Sequence, residues 1–125
     1  MGLDFRTEGI PYAEDLDFEE RAHWSYSGFD HFRRRLARSC GFTEELETLW
    51  QDQPDDFRMH ILWQLLNHSD RDGTLSPIAC SVFTRELARA VWDWEPVDDY
   101  DRINAIKLAY HMGECARQGK HLVFC

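Results

Sequence analysis

The chain has 125 residues, 43% hydrophobic and 14% aromatic, which predicts a single domain over residues 1–125 with a substantial apolar core. Its 23 acidic and 14 basic residues leave a formal net charge of −9, which argues against free nucleic acid as a partner, because phosphate binding depends on clustered lysine and arginine. No apolar run approaches the roughly 20 residues of a membrane span, and the first residues lack a basic-then-apolar leader pattern, so we expect a cytoplasmic protein that does not enter a membrane.

The first 24 residues lack helical periodicity and are predicted to be irregular or extended. Short strands are expected over 3–6 and 23–26, where the alternation of polar and apolar residues is brief. A loop around residues 9–11 separates them and leads into the first acidic cluster. That cluster contains Glu14, Asp15, Asp17, Glu19 and Glu20.

The next segment predicts a helix that opens at Ser27, because Asp30 follows at the spacing of a capping box and Gly41 is typical of a helix end. Its apolar stripe comprises Phe29, Phe32, Leu36 and Cys40. The run Arg33–Arg35, with Arg38 a turn later, is the one basic cluster of the chain. A solvated helix face that pairs with the protein's own acids is favoured over a site for phosphate.

Two more helices are predicted before residue 67. Thr43 is expected to cap the first of them, with Glu44 and Glu45 in the first turn, where the helix dipole favours negative charge. Pro54 precedes the second, whose apolar residues are Phe57, Ile61, Leu62, Leu65 and Leu66. The second acidic cluster lies in this region and contains Glu44, Glu45, Glu47, Asp52, Asp55 and Asp56.

The turn that follows resembles a calcium loop, with Gly73 at the place of the loop glycine and His68, Asp70 and Asp72 at ligand positions. The last ligand position holds Ala79, however, where calcium needs a bidentate glutamate. We therefore favour an ordinary turn before a helix that Ser76 caps, and keep a divalent-metal site on His68, Asp70 and Asp72 as an alternative.

The last part of the chain predicts two long helices and a short strand. The helix from Ser76, expected to be the longest, carries an apolar stripe as far as Trp94 and closes at Pro96; the next runs from about Asp98 to Gln118. Residues 122–124 read as a strand that pairs with the N-terminal one. The fold class is thus mainly α (α+β), with about five helices in one domain and a small β element. The third acidic cluster contains Asp93, Glu95, Asp98, Asp99 and Asp101.

A second metal pattern lies at the C-terminal end, where histidine and cysteine alternate at a spacing that zinc can use: His111, Cys115, His121 and Cys125. His111 falls on the polar stripe of the last helix and is expected to face water, so we favour a solvated histidine and a packed cysteine over zinc. All four cysteines are expected to be reduced, and no bound cofactor is predicted.

Three segments resemble a loose group of small uncharacterised proteins from bacteria and their phages. They are the opening Met1–Asp4, the segment from Ser25 to Phe29 that leads into a helix, and the turn from Leu66 to Gly73. The resemblance covers about a quarter of the chain and implies a bacterial or phage setting. It implies no activity, because none is known for the group.

We expect a small acidic protein-binding module, since no nucleophile elbow or metalloprotease motif is present. In a bacterial or phage setting it would act as an inhibitor or immunity protein that occupies a basic, nucleic-acid-binding surface of a partner protein. A small enzyme of unknown reaction remains an alternative. The contact residues are expected among the acidic clusters and nearby aromatics: Glu14, Asp15, Asp17, Trp24, Tyr26, Trp92, Trp94, Asp98 and Asp99.

Overall fold

Six α-helices and a three-stranded antiparallel sheet make up the described part of this computed structural model, residues 2–69, 72–92 and 99–125. The predicted mainly α (α+β) class is confirmed. None of the described helices is long and apolar enough to cross a membrane. In chain order the elements are β1 (Phe5–Thr7), two short 3-10 helices (Tyr12–Glu14 and Phe18–Glu20), α1 (Tyr26–Ser39), α2 (Leu46–Asp52), α3 (Asp55–Arg58), α4 (Trp63–Leu66), β2 (Thr74–Leu75), α5 (Pro77–Trp92), α6 (Asp99–Gln118) and β3 (Leu122–Phe124).

Helix α1 begins two residues earlier than the capping pattern predicts. Ser25, not Ser27, is the N-cap, and its hydroxyl accepts a hydrogen bond from the Gly28 amide at 2.9 Å. Tyr26 is therefore the first helical residue and does not extend a strand. The apolar stripe is confirmed by the burial of Phe29 and Phe32, and the helix ends just before Gly41.

Between α1 and the Gly73 turn, the chain breaks into shorter helices than its periodicity predicts. Glu45 precedes α2, so the predicted cap at Thr43 is wrong. The single apolar helix predicted after Pro54 is replaced by α3 and α4. The break occurs because the His60 ring accepts the Leu62 amide at 3.1 Å, an amide that a continuous helix would direct to the carbonyl four residues earlier.

Helices α5 and α6 pack against each other along their lengths. Ser76 caps α5 as predicted, since its hydroxyl accepts from the Ala79 amide at 3.1 Å and Pro77 opens the helix. Across the contact, the Thr84 hydroxyl donates to the Ala109 carbonyl at 2.6 Å. A Cβ at Gly113 would lie 2.8 Å from that hydroxyl, so a glycine there allows the two helices to approach closely. Within the described residues α6 has 20 residues and α5 has 16. The predicted continuation through Trp94 to Pro96 lies outside the described residues.

The sheet joins the two ends of the chain, with β3 in the middle of the order β1-β3-β2. Phe5 pairs with Phe124, which confirms the predicted contact between the N-terminal and C-terminal strands. Strand β2, which the sequence did not predict, pairs Thr74 with Val123 on the other side. The strand predicted over 23–26 reduces to one bridge between Leu3 and Trp24.

Five aromatic rings from β1, the N-terminal segment, α1 and β3 form one part of the core: Phe5, Trp24, Phe29, Phe32 and Phe124. Trp24 stacks on Phe32 with 4.9 Å between ring centroids, and Phe5 meets Phe124 edge-on at the same distance. Trp24 is only 1% exposed. The expectation that it belongs to a surface contact is therefore wrong, because it lies between α1 and β1 and holds the N-terminal segment in place.

Candidate functional site: an acidic depression beside helix α6

The N-terminal segment lies against the face of α6 that the sequence assigned to water. His111 is 1% exposed, so its predicted solvent exposure is wrong. Asn104, on the same stripe, is also buried and accepts the His23 amide at 2.9 Å. Asn104 and His111 therefore do not belong to a solvated face. They are hydrogen-bonding partners of the N-terminal segment, which has little secondary structure of its own.

Asp15 is the residue through which the first acidic cluster is attached to the rest of the fold. One carboxylate oxygen accepts the Thr7 amide at 2.6 Å and the other accepts the Thr7 hydroxyl at 2.9 Å. The His111 Nε2 atom lies 3.0 Å from the first of these oxygens and 3.0 Å from the Thr7 hydroxyl. The side chain of Asp15 is 6% exposed, so this acid cannot take part in a surface contact in the way that its neighbours can.

The geometry of this cluster assigns a tautomer to His111. Since the neighbouring Asp15 oxygen is an acceptor, the proton of the neutral ring lies on Nε2 and is shared with the Thr7 hydroxyl. Burial lowers the pKa of His111, and the charge of Asp15 opposes that shift only in part. At neutral pH the ring is therefore an uncharged donor that holds the Asp15 carboxylate at the base of the loop.

Above this anchor, the first acidic cluster and α6 enclose a depression of about 310 Å³. We call it the acidic depression; its lining comprises Ile10, Glu14, Asp15, Leu16, Asp17, Glu20, Tyr110, Glu114 and Gln118. Its lining contains five carboxylates and no lysine or arginine. Of these acids, Glu114 pairs with Arg117 at 2.6 Å, whereas Glu14, Asp17 and Glu20 form no ion pair with any residue that the structure describes.

Tyr110 adds an aromatic ring to the depression and is 50% exposed. It lies on α6 one turn before Glu114, and Ile103 and Ile106 precede it on the exposed side of the same helix. Tyr110 and Glu114 were not among the predicted binding residues, because the periodicity of α6 alone does not show what packs on it. The available signal was the polar stripe of α6, whose side chains can bond an acidic segment that lies against it.

Three of the six acids of the second acidic cluster, Glu45, Glu47 and Asp55, pair with the protein's own arginines. Arg34 donates to both carboxylate oxygens of Glu47, one of them at 2.7 Å, and lies 3.8 Å from Glu45. Arg38 lies 3.7 Å from the other oxygen of Glu45. The hydrogen bond from Arg34 lowers the pKa of Glu47 to about 2. The prediction that the arginine run pairs with the chain's own acids therefore holds for these two arginines and for Arg35, which pairs with Asp101.

The other two arginines of the run have other partners. Arg33 is buried, against the prediction of a solvated face; it donates to the His68 carbonyl and lies over the rings of Phe29 and Trp50. Arg35 pairs with Asp101. Arg34, Arg35 and Arg38 line one cavity of about 220 Å³, but each of them is paired with an acid of this protein, so the run does not present free guanidinium groups to an anion.

The described part of the third acidic cluster is also engaged within the protein. Asp101 is buried and accepts from Arg35 and, at 3.0 Å, from the Trp24 indole N–H. Asp99 pairs with Arg102 at 3.0 Å. Asp93, Glu95 and Asp98 lie outside the described residues, so their place relative to the acidic depression stays a prediction.

The remaining aromatic residues proposed for binding lie in different places. Tyr26 is half-buried against the core at the start of α1. Trp92 is 69% exposed at the end of α5 but does not line the acidic depression. Trp94 lies outside the described residues. Of the nine proposed binding residues, the structure brings together Glu14, Asp15 and Asp17 in this depression.

In the turn proposed to bind a divalent metal, the described residues His68 and Gly73 bond to neighbouring parts of the fold. His68 stacks on Phe124 at 3.8 Å, and its two ring nitrogens lie 2.9 Å from the Ser69 carbonyl and 3.1 Å from the Thr74 carbonyl. Gly73 has a φ of 101°, which favours glycine, and its carbonyl accepts from Phe124. Asp72 is exposed, and Asp70 lies outside the described residues, so the calcium hypothesis on these three residues stays untested.

The zinc pattern does not form a single cluster. Among the described residues, no group of three or more histidine, cysteine, aspartate or glutamate side chains could hold a metal ion. Cys115 is buried and donates weakly to the Thr7 hydroxyl at 3.6 Å, whereas Cys125 is exposed and His121 bonds Glu8. All four cysteines are free thiols.

Comparisons with protein-family models, with curated proteins and with solved structures found no match to this chain. The function must therefore be argued from the side chains alone.

Proposed function

We propose that this protein is a small acidic binding module whose acidic depression docks onto a basic protein surface. In the bacterial or phage setting that the sequence resemblance implies, the partner is a nucleic-acid-binding protein and the effect of docking is inhibition. The observation that carries the proposal is a group of carboxylates, Glu14, Asp17 and Glu20, that form no ion pair with any described residue and lie around the exposed ring of Tyr110.

The distribution of charge supports this choice of surface. Three of the six acids of the second cluster have arginine partners, and the described acids of the third are paired as well. Uncompensated charge at the acidic depression would steer a basic partner and accelerate its association. An aromatic ring within a charged rim resembles the composition of energetically important interface centres.

The attachment of Asp15 supports the proposal in a second way. The acidic loop is held by three hydrogen-bonding contacts of one buried carboxylate to Thr7 and His111. A loop that is already ordered in the free protein loses less conformational entropy when it binds. The carboxylates of Glu14 and Asp17 are therefore presented on a rigid base.

The experiment is a pull-down from lysate of the host bacterium at low salt, with the intact chain as bait. We expect a basic protein to be retained and to be released as the salt rises from about 0.1 M to about 1 M, which shortens the Debye length from about 10 Å to about 3 Å. The test variant combines Glu14→Gln, Asp17→Asn and Glu20→Gln and should weaken the recovered complex by about tenfold or more.

The matched control combines Glu44→Gln, Asp52→Asn and Asp56→Asn. Like the test variant, it removes three negative charges, but from exposed positions elsewhere that form no ion pair in the described structure. This control should bind as the unmodified chain does. Equal weakening in both variants would reduce the effect to net charge and contradict the assigned surface, as would recovery of no salt-sensitive partner.

A further inference from the structure

A second concave region lies on α6, between that helix and the N-terminal segment, with a volume of about 640 Å³. The residues that matter to its chemistry are Tyr12, Glu19, Arg21, His23, Tyr100 and Lys107. We call it the tyrosine cleft. Its volume falls in the range of about 300–1,000 Å³ that small-molecule sites occupy, and it is twice as large as the acidic depression.

Most of the other arginines form ion pairs with carboxylates of this protein, but the two cations of the tyrosine cleft do not pair with any described carboxylate. Arg21 donates from Nε to the Leu16 carbonyl at 2.7 Å and lies 4.2 Å above the Tyr12 ring, but it pairs with no carboxylate among the described residues. Lys107, half-buried on α6, likewise has no ion pair in the described part of the chain. In a chain with 23 acids, two cations in one cleft without a carboxylate partner leave positive charge available to a ligand.

Two acids, Asp4 and Glu19, lie near these cations, but only one of them is free to repel an incoming anion. Asp4 accepts from the Tyr12 hydroxyl at 3.2 Å and lies 2.9 Å from His23 Nδ1, so its charge is directed to two partners in the wall. Glu19 is exposed and is the remaining carboxylate of the lining. It is the one group here that would repel an anion directly.

Two tyrosine rings give the cleft its apolar surface. The Tyr12 hydroxyl is committed to Asp4, and the Tyr100 hydroxyl donates to the His23 carbonyl at 2.7 Å. With both hydroxyls held, the rings are fixed as walls. Fixed aromatic faces beside cations favour a ligand that has a planar organic body and an anionic end.

We propose that the tyrosine cleft binds a small organic anion, with Lys107 and Arg21 on its carboxylate or phosphate oxygens and Tyr12 and Tyr100 against its ring. This site is separate from the acidic depression and does not depend on the proposed partner. Its ligand is opposite in charge to the partner expected there. The net charge of −9 repels free anions at long range, so binding is best measured near 0.15 M salt, where the Debye length is about 8 Å.

The test is a calorimetric titration of the intact chain with three probes, phenyl phosphate, benzoate and inorganic phosphate, together with NMR of the His23 ring. We expect at least one ring-bearing probe to bind at submillimolar to millimolar concentration, more tightly than inorganic phosphate, and to shift the His23 signals. Benzoate and phenyl phosphate distinguish a carboxylate ligand from a phosphate ligand, and preference for either supports the site.

Lys107→Met is the decisive variant, because it removes the charge and keeps the length of a half-buried side chain. It should weaken the ring-bearing probe by about tenfold, the usual loss for one charge-assisted hydrogen bond. Lys120→Met, at the other lysine of the chain, is the matched control and should leave binding unchanged. Glu19→Gln should strengthen binding several-fold, since it removes the opposing charge.

Absence of binding by all three probes at millimolar concentration would overturn the proposal. Equal affinities in Lys107→Met and Lys120→Met would also overturn it, since binding would then lie elsewhere. Inorganic phosphate bound as tightly as phenyl phosphate would remove the role of the tyrosine walls and count against the proposed ligand class.

Discussion

The first and second acidic clusters look alike in composition, but among the described residues only the second contains acids that pair with arginines. Glu45 and Glu47 precede or begin α2, where Arg34 and Arg38 of α1 reach them. Glu14, Asp17 and Glu20 lie on an irregular segment that packs on α6, and no arginine lines the depression they form. The clusters differ because the second lies next to α1, which carries arginines, whereas the first packs on α6. The number of acids in a segment therefore says little about the charge that a partner encounters.

The two clusters also differ in what they contribute to stability. In the second, the ion pairs lie at the surface, where solvent and salt reduce their value. In the first, one acid, Asp15, is buried and bonded, and its neighbours remain exposed. In this loop, therefore, Asp15 stabilises the fold, and its exposed neighbours carry the charge that a partner would meet.

The largest expected effect follows from removal of the Asp15 carboxylate. Asp15→Ala leaves the buried Thr7 amide without its acceptor and removes one of the two acceptors of the buried His111 ring N–H. We expect the free energy of unfolding to fall by about 2–4 kcal/mol, measured by urea denaturation.

The control for this prediction is Asp17→Ala in the same loop. Asp17 is exposed and forms no side-chain hydrogen bond with a described residue, so the free energy of unfolding should change by no more than about 0.5 kcal/mol. If the two variants were equally stable, the distinction between the buried anchor and its exposed neighbours would fail.

A smaller effect is expected from pH. Because burial lowers the pKa of His111, the native protein binds its proton at a lower pH than the unfolded chain, in which histidine titrates near about 6.5. The unfolded state then holds more protons, so this group's contribution to stability is complete above that value and is lost as the pH falls from about 6.5 towards the native pKa.

The measurement is the free energy of unfolding as a function of pH for the unmodified chain and for His111→Gln. The decline below about pH 6.5 should be shallower in the variant, which keeps a side-chain amide donor but does not titrate. His60, whose pKa burial also lowers, contributes the same sign in both proteins and cancels in the comparison. An identical slope would show that His111 takes up its proton at the same pH in the folded and unfolded states.

The smallest effect concerns the second cluster. It is a change in the pKa of Glu47 and not in the free energy of unfolding. The hydrogen bond from Arg34 lowers the pKa of Glu47 from its ordinary 4.5 to about 2, so NMR should show this carboxylate ionised throughout the mildly acidic range. Arg34→Gln should return its pKa most of the way to the ordinary value, because the bidentate donor is lost.

Arg85→Gln, on α5, serves as the comparison and should leave the Glu47 titration unchanged. A Glu47 pKa that is ordinary already in the unmodified chain would mean that Arg34 does not neutralise Glu47. The contrast between the two clusters would then disappear.

The elements with strong local signals were predictable from the sequence. The Ser76–Pro77 start of α5, the end of α1 before Gly41 and the pairing of the two terminal strands all follow from capping and alternation. The division of the third helix into α3 and α4 was not predictable, because it depends on which amide the His60 ring accepts. Strand β2 is only two residues long, too short for a periodic pattern.

The sequence predicted some residues of the candidate site but not how they are arranged. The acidic composition drew attention to Glu14 and Asp17, but the burial of Asp15 and the exposure of Tyr110 depend on how the N-terminal segment lies on α6. Trp24 misled for the same reason, since a tryptophan in an irregular segment can anchor that segment to the core as readily as it can anchor a partner. Contacts between residues about 100 positions apart, such as Thr7 with His111, leave no local trace in one sequence.

The central position of β3 has a consequence for the order of events during synthesis. Strands β1 and β2 do not touch each other in the sheet order and are joined only through residues 122–124. While a ribosome is still producing the chain, both therefore remain unpaired edges, open to neighbouring polypeptides. The loop that carries the acids is bonded to β1 through Thr7, so products truncated before Leu122 would lack a finished sheet next to this loop.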